Sequence, residues 1–426
     1  MNFFENSLHQ DSRYRKAPYR DRSNVKQASI SRRWQEELLR SKTNSGEGHI
    51  LPILANAITA LRRAPEWQGV LAWDEFRANV VTLRRTPWGG GPDREWTDQE
   101  DRLTAEWLQH QRILVSVETA SQAIQTVATE NSVHPVRQYL DGVAWDGIPR
   151  LYRWLSTYLG AEHTEYTCAV GARWMLSAVA RIDQPGTKAD SCLILEGPQG
   201  AKKSTALRTL AGGFFTDELA ELGSKDAALQ IRGVWVVEIA ELDSLARSEI
   251  ASIKAFMSRT TDRFRPPFGK RVIEFPRQCV FAGTVNHTEY LRDETGARRF
   301  WPVRCNVIDI EALARDRDQL WAEATHRYRS GEKWWLDTSD LVDTATQEQA
   351  ARYQSDPWEE IIAPWLEQRA STSVSEVLEM CLNKSQAQWS QTDKTRVARC
   401  LRALGWDRYR ERQGNRLEWR YRRIER

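Results

Sequence analysis

Long apolar runs are missing from this chain. No stretch approaches the roughly 20 consecutive apolar residues of a membrane-spanning helix, and mean hydropathy is −0.62. A polytopic membrane protein is excluded. The opening residues, MNFFENSLHQDSRYRKAPYR, lack the apolar core of a secretion signal. The expected location is therefore the cytoplasm, with no membrane partner. Cysteine is sparse. Cys168, Cys192, Cys279, Cys305, Cys381 and Cys400 form no C-x-x-C pair, which argues against a zinc site or a disulfide frame. Internal repeats and low-complexity tracts are absent as well. What remains is a chain of 426 residues with 41% hydrophobic content. It can bury a sizeable core and divides naturally into two or three domains.

Net charge is also small, +3 from 61 basic and 58 acidic residues. The balance hides an asymmetry. Residues 1–42 carry ten Lys/Arg against five Asp/Glu, and residues 394–426 carry twelve against four. The intervening body holds 39 basic and 49 acidic residues. Two basic ends on an acidic body suggest anionic-polymer contacts at the ends, with solvated tails as the plain alternative; the partner expected is single- and double-stranded DNA.

The densest signal lies at residues 193–205, LILEGPQGAKKST. An apolar run leads into a glycine-bearing turn, then a lysine pair, a hydroxyl pair and a helical segment. This is the strand–loop–helix setting of a phosphate-binding P-loop. Glycines let backbone N–H groups close around phosphate oxygens. Lys203 suits the β- and γ-phosphates, and Ser204 suits Mg²⁺. The expected nucleotide cradle is Gly197, Pro198, Gln199, Gly200, Ala201, Lys202, Lys203, Ser204 and Thr205. The usual pattern has glycine directly before the key lysine, and Lys202 stands there instead.

Further motifs follow in chain order. GVWVVEIAE supplies a second strand ending near Glu238 and Glu241. One acid is expected to hold Mg²⁺ and the other to orient or deprotonate the attacking water. Glu238 suits the metal role and Glu241 the base, but spacing alone leaves the two exchangeable, and Glu241 capping the next helix is the plain alternative. QCVFAGTVN ends a third strand in Asn286, a polar tip suited to sensing a γ-phosphate, or simply a turn residue. DETGARRFWPV places Arg298 and Arg299 before a fourth strand. Either fits an arginine supplied to a neighbouring subunit's phosphoryl group; a surface salt-bridged pair is the alternative. Between Glu241 and Asn286, IKAFMSRTTDRFRPPFGKRV concentrates Lys254, Arg259, Arg263, Arg265, Phe268 and Lys270. Basic groups track phosphates and aromatic faces stack on bases. A solvated charged face is the competing reading.

The texture of the chain implies a multidomain protein. Residues 1–46 read as a basic flexible arm, 47–165 as a mainly helical N-terminal module and 166–340 as an α/β P-loop core. Residues 341–426 read as a linker and a small winged-helix-like basic module ending in RLEWRYRRIER. The many tryptophans are dispersed and read as structural.

Taken in order, LILEGPQGAKKST, GSKDAALQIRGVWVVEIAEL, IKAFMSRTTDRFRPPFGK and CVFAGTVNHTEYLRDETGARRFWPV closely resemble the virulence-associated E family. Its members are P-loop ATPases of phages and mobile islands, similar to superfamily 3 helicases. The resemblance covers about residues 50–340 and implies an AAA+-like core. It also implies ring assembly, expected as a hexamer, ATP and Mg²⁺ as cofactors, and a role in replicating a mobile element. It puts Gly197, Gly200, Lys203 and Ser204 on nucleotide, with Glu238 and Glu241 in the Walker B region. Asn286 would be the sensor, and Arg298 or Arg299 the finger. The first 190 residues carry no convincing acidic metal triad, so any primase is expected as a separate protein. Lys202 departs from the family pattern. It leaves two expectations: an ATP-driven helicase-like motor, or a DNA-binding origin or loading platform with a degenerate nucleotide site.

Overall fold

The computed structural model describes residues 33–42, 48–218, 225–242, 247–265, 272–287, 290–291, 297–353, 355–413 and 416–423. The chain divides into two compact units, Met1–His134 and Pro135–Arg426.

In the first unit, α1 (Leu54–Arg63) is followed by β1 (Leu71–Asp74) and β2 (Asn79–Thr82). Next come α2 (Asp98–His110), α3 (Val117–Thr129) and β3 (Ser132–Val133). The start of α2 is set by a capping box, in which Thr97 and Glu100 satisfy each other's backbone N–H groups. Leu61, Leu108, Ala120 and Ile124 close a core with Trp67. A reading based on helices alone leaves out a three-stranded sheet of order β2-β1-β3. The β1–β2 hairpin is built from LAWD and NVVT, largely buried segments in which Val80, Val81 and Thr82 supply β-branched residues that favour a strand.

In the second unit, α4 (Pro135–Gly142) and α5 (Trp154–Leu159) lead into α6 (Glu165–Asp183). There follow β4 (Cys192–Glu196), α7 (Lys203–Ala211), β5 (Phe215–Thr216), α8 (Lys225–Gln230) and β6 (Val236–Ile239). After α9 (Arg247–Met257) come β7 (Thr261–Phe264), β8 (Ile273–Pro276), β9 (Val280–Val285) and β10 (Phe300–Arg304). The fold is mixed helical and α/β around a five-stranded parallel sheet of order β10-β4-β9-β6-β5. The four apolar runs seen in the sequence are its four long strands. They read as continuous apolar segments because the sheet is covered on both faces. The short fifth strand, β5, carries no such run. Its position follows from pairing with β6.

Tryptophans join the layers. Trp174 on α6 donates to the Phe281 carbonyl of β9 at 2.8 Å. Trp235 donates to Ala178 at 3.0 Å. Trp321, on α10 (Ile310–Arg329), donates to Leu210 at 2.9 Å and stacks on Trp235. Each buries a large ring while its one N–H finds a carbonyl. Separately, β7 and β8 form an antiparallel hairpin anchored by Arg277, which clamps Asp262 at 2.7 Å with both side chains only 1% exposed.

After α11 (Ser339–Ala350), the chain ends in α12 (Pro357–Leu366), β11 (Ser371–Thr372) and the helical turns Val374–Glu376 and Val377–Cys381. Then come α13 (Gln391–Ala403), β12 (Trp406–Gln413) and β13 (Arg416–Arg423). The stretch expected to be a linker packs tightly instead. Gln349 of α11 donates to the Phe300 carbonyl of β10 at 2.9 Å. In the terminal part, Val377, Val397, Leu401, Trp406 and Tyr421 share one core. Strands β11, β13 and β12 make a separate antiparallel sheet.

Asp356 joins α12 to α13, because Arg396 and Arg399 both bind its carboxylate, at 2.6 and 2.5 Å. Burial pushes that carboxyl up, but the hydrogen bonds from Arg396, the Trp358 N–H and Arg399 outweigh burial and hold it at about 2. A carboxyl lowered in the folded state adds stability that is present above its ordinary value, near 4, and lost as pH falls toward 2. Thermal melting of wild type and Asp356→Asn across this range is expected to show a gap that closes between about pH 4 and pH 2. A gap that stays constant would refute the assignment.

Candidate functional site

Strand order places the site. The chain leaves β4 toward one side of the sheet and returns through β9 to β10 on the other. The crevice at the carboxyl end of β4 is thus a topological switch point, where open parallel sheets bind ligands. The loop Gly197–Lys202 lies there and runs directly into α7.

Two residues of the loop explain its glycines. A Cβ on Gly197 would stand 3.2 Å from the Cys305 carbonyl oxygen, and Gly200 is left-handed at φ 79°. Lys202 shares that left-handed conformation, with φ 66° and ψ 24°, as the N-cap of α7. Its side chain makes no cap hydrogen bond. The first N–H groups of a helix have no intrahelical partner and carry the positive end of its dipole. This uncapped turn is suited to an anion.

Residues from two strands, the segment after β9 and one helix converge on the loop. The buried Lys203 ammonium donates to the Gly197 and Pro198 carbonyls at 2.6 and 2.9 Å, and to Asn286 Oδ1 at 3.2 Å. Ser204 Oγ donates to Glu238 Oε1 at 2.6 Å, and Thr284 Oγ1 donates to the same oxygen at 2.7 Å. Glu238 is 1% exposed, and its second oxygen, Oε2, is buried with no hydrogen-bond partner among the described residues. A buried carboxylate oxygen in that state is costly unless a cation or proton meets it. Hard oxygen donors from Ser204 and Glu238 fit Mg²⁺. No group of three or more His, Cys, Asp and Glu able to hold a metal occurs among the described residues. Glu241 stands beyond the end of β6, exposed, on left-handed backbone at φ 49°.

The other expected residues separate. Arg299 pairs with Asp190 at 3.2 Å and donates to Ser258 Oγ at 3.0 Å, whereas its neighbour Arg298 is exposed. Arg259, Arg263 and Arg265 are exposed on or beside the β7–β8 hairpin. Lys254 does not join them. It is 8% exposed, with its ammonium over the Phe300 ring. The spacing of α9 turns it inward, away from a DNA-facing surface. Phe268 and Lys270 lie outside the described residues.

Four participants escaped the sequence reading. Thr284 had a faint signal, a hydroxyl in an apolar strand two residues before Asn286 and so on the same face. Glu196, the last residue of β4, is buried and accepts from Tyr290 Oη at 2.8 Å and from Arg352 Nε and Nη2 at 2.6 and 2.9 Å. Arg352 also binds Glu348. Burial lowers the Arg352 pKa, but the charges and hydrogen bonds of Glu196 and Glu348 more than reverse that and raise it. Burial and the Glu196 charge drive the Tyr290 hydroxyl well above its ordinary value. Burial likewise pushes Cys305, behind the loop, up to about 12. The Arg352 carbonyl accepts the N–H groups of Tyr290 and Leu291. One residue after α11 thus pins both the base of the loop and the strand-to-strand segment that follows Asn286.

A family model described as the virulence-associated protein E-like domain matches residues 140–355. No curated protein matches. Among solved structures, the apo NrS-1 C-terminal region aligns at 10% identity and a TM-score of 0.44, covering 83% of this chain and 96% of that one. A second, an A-form apo structure of the same region, gives 11% identity and 0.43 at the same coverage.

Two expectations follow. Lys202→Gly removes a left-handed side chain that costs about 1–2 kcal/mol, so denaturant unfolding should show a net gain of roughly 1 kcal/mol after the entropy of glycine is counted. Loss of stability would disprove the strain. Arg352→Met strands the buried Glu196 charge and should cost about 3–5 kcal/mol, with Arg352→Lys milder; equal stability of all three proteins would show the pair to be inert.

Proposed function

The chain belongs to the virulence-associated protein E-like family, and from that premise we propose that it is an ATP-dependent, helicase-like DNA motor serving replication of a phage or mobile element. The observation that carries this reading is the meeting of Lys203, Ser204, Glu238 and Asn286 around one uncapped helix start. Four residues from three separate parts of the chain converge where a nucleoside triphosphate would need them.

Each residue has a role in this reading. The loop Gly197–Lys202 and the first turn of α7, with Thr205, cradle phosphate oxygens. Lys203 exchanges its loop carbonyls for the β- and γ-phosphates. Ser204 and the partnerless oxygen of Glu238 hold Mg²⁺, which when bound neutralises charge building on the transferring phosphate. Glu241, solvent-facing beyond the strand, serves as base toward the attacking water, and Asn286 orients that water or reads the γ-phosphate. Because Arg299 is held by Asp190, the exposed Arg298 is the better candidate for a finger reaching a neighbouring subunit of a ring, a hexamer in this reading. The exposed Arg259, Arg263 and Arg265 follow single-stranded DNA as turnover proceeds.

A specific observation supports a second reading. Lys202 is left-handed where glycine would be unstrained, and Lys203 is occupied by the loop's own carbonyls. The protein would then be a DNA-binding origin or loading platform whose nucleotide site turns over slowly or not at all.

Steady-state ATP hydrolysis with and without single-stranded DNA separates the two. The motor reading expects DNA-stimulated turnover, loss of at least about 100-fold in Lys203→Ala and Glu238→Gln, and partial recovery when Lys203→Ala and Arg298→Ala subunits are mixed. A silent wild type restored by Lys202→Gly would favour the platform instead. Failure of mixing would remove Arg298 as a finger in trans.

A further inference from the structure

The β12–β13 hairpin lies beyond residues 140–355 and outside the catalytic reading. Its register sorts the side chains. Trp406 pairs with Arg423, Arg408 with Tyr421 and Arg410 with Trp419, all on one face, which Arg412 continues. The opposite face is mixed, with Asp407, Glu411 and Glu418 beside Tyr409, Arg420 and Arg422. At the base of the first face, Trp406 and Tyr421 are buried with Val397, Cys400 and Leu401 of α13. Toward the tip the same face leaves the core, and Arg408, Arg410, Arg412 and Trp419 become exposed.

The exposed portion is ordered by its aromatic ring. The Arg408 guanidinium lies 3.9 Å from the Trp419 ring centroid and that of Arg410 lies 4.5 Å from it. Such contacts hold two long cations in fixed positions without neutralising them. Among the described residues, none of Arg408, Arg410 and Arg412 has a carboxylate within ion-pair distance. Glu411 belongs to the other face, where it pairs with Arg420 at 3.1 Å. Alternate residues of a strand stand about 7 Å apart, so the three arginines follow one another along β12, two of their guanidiniums fixed by Trp419 and none with a counter-charge among the described residues.

We propose that this row is a second nucleic-acid site, which binds the phosphodiester backbone of DNA without reading sequence. Charge complementarity selects the ligand, because planar guanidinium forks without counter-charge on one strand face match backbone phosphates. The described outward side chains offer one aromatic ring and no apolar patch, as an inserted membrane contact or a protein hot spot would require. The site is independent of nucleotide turnover. It would hold DNA while the catalytic unit works on it, and would operate equally on a platform that does not hydrolyse ATP.

The test is equilibrium binding of the full chain, without nucleotide, to a mixed-sequence duplex and to a single strand of the same length over a salt series. Arg408→Gln/Arg410→Gln should weaken duplex binding at least about tenfold at low salt and flatten the slope of log K against log [salt] by about 2, one unit per lost phosphate contact. Arg408→Lys/Arg410→Lys should keep most of the slope, and Trp419→Ala should lose affinity while melting as the wild type does. Comparable loss on the single strand would mean that either form is bound through its backbone. The proposal is overturned if the glutamine variant binds both DNAs as the wild type does, if only Arg259, Arg263 and Arg265 matter, or if binding to phosphatidylserine vesicles falls while DNA binding is unchanged. Basal ATP hydrolysis should not move in any of these variants, so a silent ATPase would count against the motor and leave this result standing.

Discussion

A carboxylate buried under a helix start is the constraint around which the second unit is organised. Glu238 sits in the middle layer of a parallel sheet at 1% exposure, where an uncompensated charge is expensive. The fold offers it two hydroxyls, Ser204 from α7 and Thr284 from β9, and leaves one oxygen without a protein partner. Meeting those hydroxyls requires β6 and β9 to be adjacent and α7 to begin at the sheet's carboxyl edge. The strand order, the glycine loop and the helix start are thus joined through one side chain.

Lys203 and Arg352 show two ways of managing charge beside that centre. Lys203 is satisfied by loop carbonyls and Asn286, neutral oxygens that it can release to a stronger anion. Arg352 is locked in a bidentate pair with Glu196, reinforced by Glu348 and Tyr290. The first arrangement is exchangeable and the second rigid. Through its carbonyl, Arg352 also fixes Tyr290 and Leu291. The segment after Asn286 therefore rests on a residue outside the motifs singled out in the sequence.

The basic carboxyl end divides its charge between two elements. At the carboxyl end, positive charge is not a loose tail. It is set on a paired hairpin, with Trp419 holding Arg408 and Arg410, while Arg396 and Arg399 are consumed in tying Asp356. Charge of one sign within a single segment thus serves structure on one element and stays uncompensated on another.

Much of the core was legible because its signals are local. Four apolar runs became four parallel strands, and glycines, a lysine pair and a serine marked the loop by their order alone. Period and turn chemistry act over a few residues, so the sequence by itself determined where strands, loop and helix start fall. It also put Ser204 with Glu238 and Glu241 in one expected site, of which the fold brings Ser204 and Glu238 to 2.6 Å. Tertiary packing decided the rest. Whether Lys254 faces solvent or the Phe300 ring, and which of two adjacent arginines Asp190 captures, depends on neighbours distant in sequence. The same holds for the reach of Arg352 to Glu196 across 156 positions. The short sheet of the first unit and the left-handed backbone at Lys202 likewise appear only in the folded chain. Burial and pairing are properties of the whole fold, and no local pattern encodes which partner a charge will meet.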